Sequence, residues 1–185
     1  MKFITTPISG LVIVEPDTFK DDRGWFSESF NLKRFRMGLQ SLKLEAPECF
    51  VQDNVSSSKK GVVRGLHYQL APFAQGKLVS VSHGAVFDVA VDLRVESSTY
   101  GEWFALELSD ANKKMLWVPA GFAHGFLALE DDTRVSYKVT EYYNKDSERS
   151  VLWNDTCLGI RWPVLSEYYL SDKDKAAPVF VKLPG

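Results

Sequence analysis

Val86-Phe87-Asp88-Val89-Ala90-Val91-Asp92-Leu93 alternates with a period of two, so Phe87, Val89, Val91 and Leu93 share one face of an extended chain. Trp103-Phe104-Ala105-Leu106-Glu107-Leu108 repeats the alternation, as does Arg134-Val135-Ser136-Tyr137-Lys138-Val139-Thr140, and the period holds from Gly61 onward. Turn signals separate the runs at His83-Gly84, Tyr100-Gly101, Asp110-Ala111-Asn112 and Asp131-Asp132. Many short strands with few helices between them predict an all-β sandwich or barrel. Toward the N-terminus, Leu11-Val12-Ile13-Val14 reads as a short buried strand closed by Pro16. Asp21-Asp22-Arg23-Gly24 reads as a turn, and Trp25 to Phe30 and Phe50 to Val55 as extended chain. One helix is convincing. Asn31 can cap it, and Leu32, Phe35, Leu39 and Leu42 follow at helical spacing. No repeat, low-complexity tract or linker divides the chain, so one domain over residues 1–185 is expected. Its irregular segment 163–185 should pack over the barrel.

The 185 residues, 45% hydrophobic and 13% aromatic, suffice to bury one substantial core. A formal net charge of -2 gives no global basic field for nucleic acid or a membrane, so a polyanion has to meet a local cluster. Met1-Lys2-Phe3-Ile4-Thr5-Thr6-Pro7 lacks the apolar run of a signal peptide, and no stretch approaches membrane-spanning length. Cys49 and Cys157 stand far apart without metal-type spacing, as reduced thiols of a cytoplasmic protein would.

The chemistry starts from Val63-Arg64-Gly65-Leu66-His67-Tyr68-Gln69. Alternation puts His67 beside Gly65 and Gln69, which suits a cavity wall. A lone histidine is more often a hydrogen-bonded structural group. Arg64, Lys77 and His124 shift the balance, because several cationic or titratable groups on the strands of one barrel are costly to bury without an anionic ligand. A metal site is disfavoured: Tyr68 and Gln69 follow His67, so the second histidine of a His-x-His pair is missing. Tyr137, on the Val135/Val139 face, points inward as a core tyrosine or as a weak proton donor. Ser171-Asp172-Lys173-Asp174 reads as a solvated turn. If the tail folds back, it instead brings a carboxylate that orients His67. Arg23 and Glu28 read as a turn pair or as ligand contacts.

Taken together, these residues resemble the dTDP-4-dehydrorhamnose 3,5-epimerases. The resemblance rests on Arg64 to Gln69, Gln75-Gly76-Lys77, Val86 to Asp92, Pro119-Ala120-Gly121-Phe122-Ala123-His124-Gly125-Phe126 and Tyr137 to Thr140. Asp21 to Glu28, Gln52-Asp53-Asn54, Ile160, Trp162 and Pro163 match as well, so it runs in order along nearly the whole chain. It implies a cupin jelly roll, that is, a double-stranded β-helix with one or a few short helices. It further implies a homodimer, no cofactor or metal, and a dTDP-4-keto-6-deoxyhexose substrate on the route to dTDP-L-rhamnose and to polysaccharides such as the lipopolysaccharide O-antigen. By the same resemblance His67 is the base at C3 and C5 and Asp174 its paired carboxylate. Tyr137 is the acid on the opposite face, and Lys77 the cation near the C4 oxygen. Arg23, Phe26, Glu28, Gln52, Asp53, Asn54, Arg64, Lys77, His124, Glu148 and Lys173 are the implied substrate contacts. The Arg23–Glu28 segment is implied to reach into a partner subunit's site.

Inverting a centre requires a base on one face and a donor on the other, since a single group returning its own proton restores the starting configuration. Three alternatives remain: an epimerase of a single centre, a 3,4-ketoisomerase on the same substrate class, and a non-catalytic sugar-binding cupin. His83 has no assigned role.

Overall fold

A computed structural model describes residues 1–181; the last part of the 163–185 segment, residues 182–185, lies outside the described residues. In chain order the elements are β1 (Lys2–Thr5), β2 (Val12–Glu15), β3 (Thr18–Asp21), β4 (Gly24–Ser27), α1 (Leu32–Ser41), β5 (Gln52–Ser58), β6 (Val63–Gln69), β7 (Lys77–His83) and β8 (Ala85–Asp92). They continue with β9 (Trp103–Ser109), β10 (Met115–Val118), β11 (Phe122–Ala128), β12 (Thr133–Val139), β13 (Glu148–Ser150) and α2 (Asp172–Lys175). Six strands form one antiparallel sheet in the order β1-β2-β10-β7-β12-β5, and five form a second in the order β13-β6-β11-β8-β9. Strands adjacent in each sheet are mostly distant in sequence. This is the cupin jelly roll, and β3 and β4 stand apart as a hairpin.

The alternation read along β8 is real, and both of its faces are buried. Val86 and Ala90 join Val79 and Val81 of β7, Leu116 of β10, Phe122 and Phe126 of β11 and Val135 of β12 between the two sheets. Val89 and Val91, with Phe87 and Leu93, face the other way. There they pack with Leu66 of β6 and Ala123 of β11, and with Val151, Leu158 and Phe180 from the chain that covers the outside of the five-stranded sheet. The outer face of the six-stranded sheet is covered by α1, which lays Phe35 and Leu39 on Val12, Val14, Leu78, Met115 and Trp117. Asn31 caps this helix as expected, its side-chain oxygen accepting a hydrogen bond from the Arg34 N–H at 3.1 Å.

Among the described residues, the segment from Pro163 is irregular apart from two features. Tyr169 makes a parallel bridge to Val62, and Ser171 caps α2 by accepting from the Asp174 N–H at 3.1 Å. The stretch that could have been a solvated turn is therefore a short helix, and it buries Asp174. No helix among the described residues is long and apolar enough to cross a membrane.

Candidate active site

At one end of the space between the sheets lies a cavity of about 690 Å³. Its walls come from both sheets. His67, on β6, and His124, on β11, belong to the five-stranded sheet; Lys77, on β7, and Tyr137, on β12, belong to the six-stranded one. Residues two apart along a strand share a face. Lys77 therefore faces inward with Val79 and Val81. Tyr137, hydrogen-bonded in register between Asn54 and Val79, does so with Val135. On β5, Gln52, Asn54 and Ser56 present a polar stripe to the same space.

Alternation alone would send Arg64 and His67 to opposite faces of β6. The pairing with β11 is irregular: His124 faces His67 but Phe126 faces Arg64, so three steps on β6 match two on β11. The extra residue is a bulge that turns both side chains toward the cavity. Gly65 makes it possible. Its φ is +117°, and a Cβ there would lie 2.6 Å from Gly125 Cα and 2.7 Å from the His124 carbonyl oxygen.

The tail closes the site. Asp174 Oδ1 stands 2.5 Å from His67 Nε2. Burial pushes the Asp174 carboxyl up, but the hydrogen bond and charge of His67, with the Ser171 hydroxyl and the Gly65 N–H as further donors, hold it below the usual carboxylate range. With Nε2 engaged, Nδ1 is the ring nitrogen left for a ligand. Across the cavity, burial pushes the Tyr137 phenol above its ordinary value, so it keeps its proton at neutral pH. Lys77 is 9% exposed and donates to the His67 carbonyl at 3.2 Å. Burial lowers its pKa to about 8, against the opposing pull of Asp88 and Glu148.

The remaining groups form the rim. Arg64 donates to Ser58 Oγ at 3.2 Å and to the Ser57 carbonyl at 3.3 Å. Lys173 and Glu148 pair at 2.5 Å, and Tyr143 donates to Glu148 at 3.0 Å. Gln52 accepts from the Tyr143 N–H at 3.2 Å and donates to Asn54 at 2.8 Å. His124 Nε2 meets Asp88 Oδ1 at 2.9 Å.

Of the residues singled out in the sequence, His67, Lys77, Tyr137, Asp174, Gln52, Asn54, Arg64, His124, Glu148 and Lys173 come together around this cavity. Four do not. Asp53 points outward and pairs with Lys138 at 2.8 Å. Glu28 is held by Asn31 and Arg34. Arg23 and Phe26 sit on the β3–β4 hairpin, where Arg23 is bound to Asp21 at 2.6 Å. His83, which has no assigned role, ends β7 and stands 3.5 Å from Asp110.

Sequence reasoning missed Asp88, Ser56 and Tyr143. Asp88 carried a readable signal, a carboxylate on the Val86/Ala90 face of a strand buried on both sides. It is fully buried, and among the described residues its Oδ2 has no hydrogen-bond partner. Ser56 and Tyr143 carried none, since polar residues on an edge strand and in a loop are ordinary. No cluster of three or more His, Cys, Asp or Glu side chains able to share a metal ion occurs among the described residues.

Comparison with known proteins gives a consistent result. The family model for dTDP-4-dehydrorhamnose 3,5-epimerase matches residues 5–182. A dTDP-4-dehydrorhamnose 3,5-epimerase of Sinorhizobium fredii is 50% identical over 185 residues, covering 100% of this chain and 92% of the relative. The crystal structure of the enzyme of that name from Elizabethkingia anophelis superimposes with a TM-score of 0.90 at 47% identity, covering 97% of this chain and 96% of that one. An epimerase from Legionella pneumophila, solved in complex with dTDP-4-keto-L-rhamnose, gives a TM-score of 0.89 at 48% identity, covering 96% and 92%.

Proposed function

The chain belongs to the dTDP-4-dehydrorhamnose 3,5-epimerase family, and on that premise we propose how its own residues invert the C3 and C5 centres of dTDP-4-keto-6-deoxy-D-glucose to give dTDP-4-keto-L-rhamnose. The observation that carries the reading is the division of the cavity between two sheets: the His67–Asp174 pair stands on one side and Tyr137 with Lys77 on the other.

His67, oriented by Asp174, takes the proton from a carbon next to the C4 ketone. The electron pair moves into an enolate, whose negative oxygen is met by the protonated Lys77 ammonium. A buried cation stabilises that developing charge far better than water does. Tyr137 then gives its proton to the carbon from the opposite face, and the configuration inverts. His67 holds one extra proton and Tyr137 lacks one, and exchange with water resets both before the second centre reacts. A positioned acid or base contributes on the order of 10² to 10⁴ in rate. Arg64 and Lys173 are cations suited to the diphosphate, with arginine able to bind it bidentately. No step calls for a cofactor or a metal.

The reading takes residues 1–185 as one catalytic domain of a cytoplasmic homodimer. Phe19, Trp25 and Phe26 on the β3–β4 hairpin are 64%, 60% and 69% exposed. Aromatic area of that extent is what a partner subunit would cover, and Arg23, Phe26 and Glu28 would then serve the partner's site. Light scattering of the purified protein tests the dimer.

The activity is tested by incubation with dTDP-4-keto-6-deoxy-D-glucose in deuterium oxide, read by NMR and mass spectrometry. Label at both C3 and C5, with a product that a downstream reductase converts to dTDP-L-rhamnose, is expected. Label at a single carbon would make the protein a mono-epimerase, a 3-keto product would make it a ketoisomerase, and no label would refute the catalytic reading.

A further inference from the structure

His67 and Asp174 are 107 residues apart in sequence. Their hydrogen bond therefore depends on whatever holds the tail to β6. At the near end the hold is visible in the backbone: the Val63 N–H donates to the Tyr169 carbonyl and the Tyr169 N–H to the Gly61 carbonyl, both at 2.9 Å. At the far end it centres on a side chain outside the cavity, Asp155.

Asp155 is 4% exposed, and among the described residues its carboxylate accepts three backbone N–H groups. Oδ1 takes those of Cys157 at 2.8 Å and Leu158 at 3.0 Å, which fixes its own turn. Oδ2 reaches across the fold to the Phe180 N–H at 2.8 Å, and the Leu152 N–H donates to the Pro178 carbonyl at 2.8 Å beside it. A carboxylate is costly to bury, and converging N–H donors are what make its burial tolerable. The ring of Phe180 is seated as well, 5.7 Å from that of Tyr100, in the cluster outside the five-stranded sheet.

The two ends of this clamp lead back to the same pair. Upstream of Asp155, Val151 exchanges hydrogen bonds with Leu66 at 3.0 and 3.2 Å, and Ser150 is in register with His67. Phe180 follows Asp174 by six residues. A closed circuit thus runs from His67 through β13 to Asp155, across to Phe180, back along the chain to Asp174 in α2, and from Asp174 to His67.

We infer that Asp155 is a positioning residue for proton transfer: its grip on the Phe180 backbone holds Asp174 in register with His67. The inference rests on the proposed roles of that pair, and its test has a readout that needs no substrate. A hydrogen bond of 2.5 Å between imidazole and carboxylate gives a far-downfield proton resonance, assigned by its loss in Asp174→Asn. In Asp155→Asn an amide replaces one accepting oxygen and opposes an N–H donor, so the circuit opens.

The expected result is loss or broadening of that resonance in a folded protein. With it, kcat falls by about 10- to 100-fold, as a displacement on the order of 1 Å causes, while KM changes by less than about threefold. Asp110→Asn, which disturbs an N–H contact to Gly84 in a remote turn, should keep both signals. Should Asp155→Asn not fold, Phe180→Pro leaves the carboxylate in place, removes the backbone N–H that Oδ2 accepts and is read in the same way. An Asp155→Asn protein that melts earlier but retains the resonance and kcat would overturn the inference. A wild-type protein that labels neither sugar carbon, yet loses the resonance in Asp155→Asn, would refute the epimerase reading and leave the positioning role standing.

Discussion

Replacing Lys77 by methionine removes a charge that the fold holds at a cost. Burial takes the lysine from its ordinary value of 10.5 to about 8, and at about 1.4 kcal/mol per pH unit the protonated side chain destabilises the native state by roughly 3 kcal/mol. Methionine fills a similar volume but gives up the Nζ hydrogen bond to the His67 carbonyl, a loss of about 1 kcal/mol. The variant should therefore be more stable by about 2 kcal/mol at pH 7, which for a chain of this length raises Tm by about 4 to 8 °C. The sign with pH follows from linkage. Below about pH 8 the lysine is protonated in both folded and unfolded states, and the full cost is present. Between pH 8 and 10.5 the unfolded chain binds the proton and the native one does not, so the wild type gains stability as pH rises, and above 10.5 the cost is gone. Thermal melts of both proteins across pH 6 to 11, paired with the deuterium assay, measure this directly. Lys77→Met should melt higher at pH 7, lose that advantage toward pH 10.5, and epimerise about 10² to 10³ times more slowly, because the enolate oxygen has lost its cation. A variant that melts lower than wild type at pH 7, or an advantage that does not shrink at high pH, would refute the reasoning.

The same proton governs the alkaline limb of activity, which should fall above about pH 8 in a kcat/KM profile, the one that reports groups of the free enzyme. His67→Ala should abolish deuterium exchange at both carbons, whereas Tyr137→Phe should retain exchange and lose inversion, as NMR of the recovered sugar will show. Glu148→Gln weakens the pairing with Lys173 and Tyr143; burial works against the Glu148 carboxylate, and those two partners hold it below its ordinary range. Its contribution to stability is present above pH 4.5 and lost as pH falls through the lowered value, so the difference in Tm between variant and wild type should vanish in acid. Gly65→Ala forces a Cβ against the His124 carbonyl at a positive φ and should cost at least about 1 to 3 kcal/mol, measured by chemical denaturation.

Period-two alternation in β8, β9 and β12, turn residues between them and a capped apolar stripe at Leu32 to Leu42 made an all-β sandwich or barrel and its one long helix legible, because each is a local property of the chain, while the jelly-roll strand order was implied only by the family resemblance. The site residues were legible in kind, since buried histidine, lysine and tyrosine on strands need a reason to be there. Sequence did not reveal that Arg64 and His67 share a face. Alternation separates them, and a bulge against β11, permitted by Gly65, reunites them. Nor did local pattern, without the family resemblance, choose between a solvated turn and a working carboxylate at Asp174. That choice rests on contacts more than 100 residues apart, and on Asp155, an aspartate in a loop that no local pattern distinguishes. Strand, turn and cap preferences act between neighbours and are written into the order of residues. The distances between a base, its carboxylate and an opposed acid are set by the packing of two sheets and a tail, and only the folded chain fixes them.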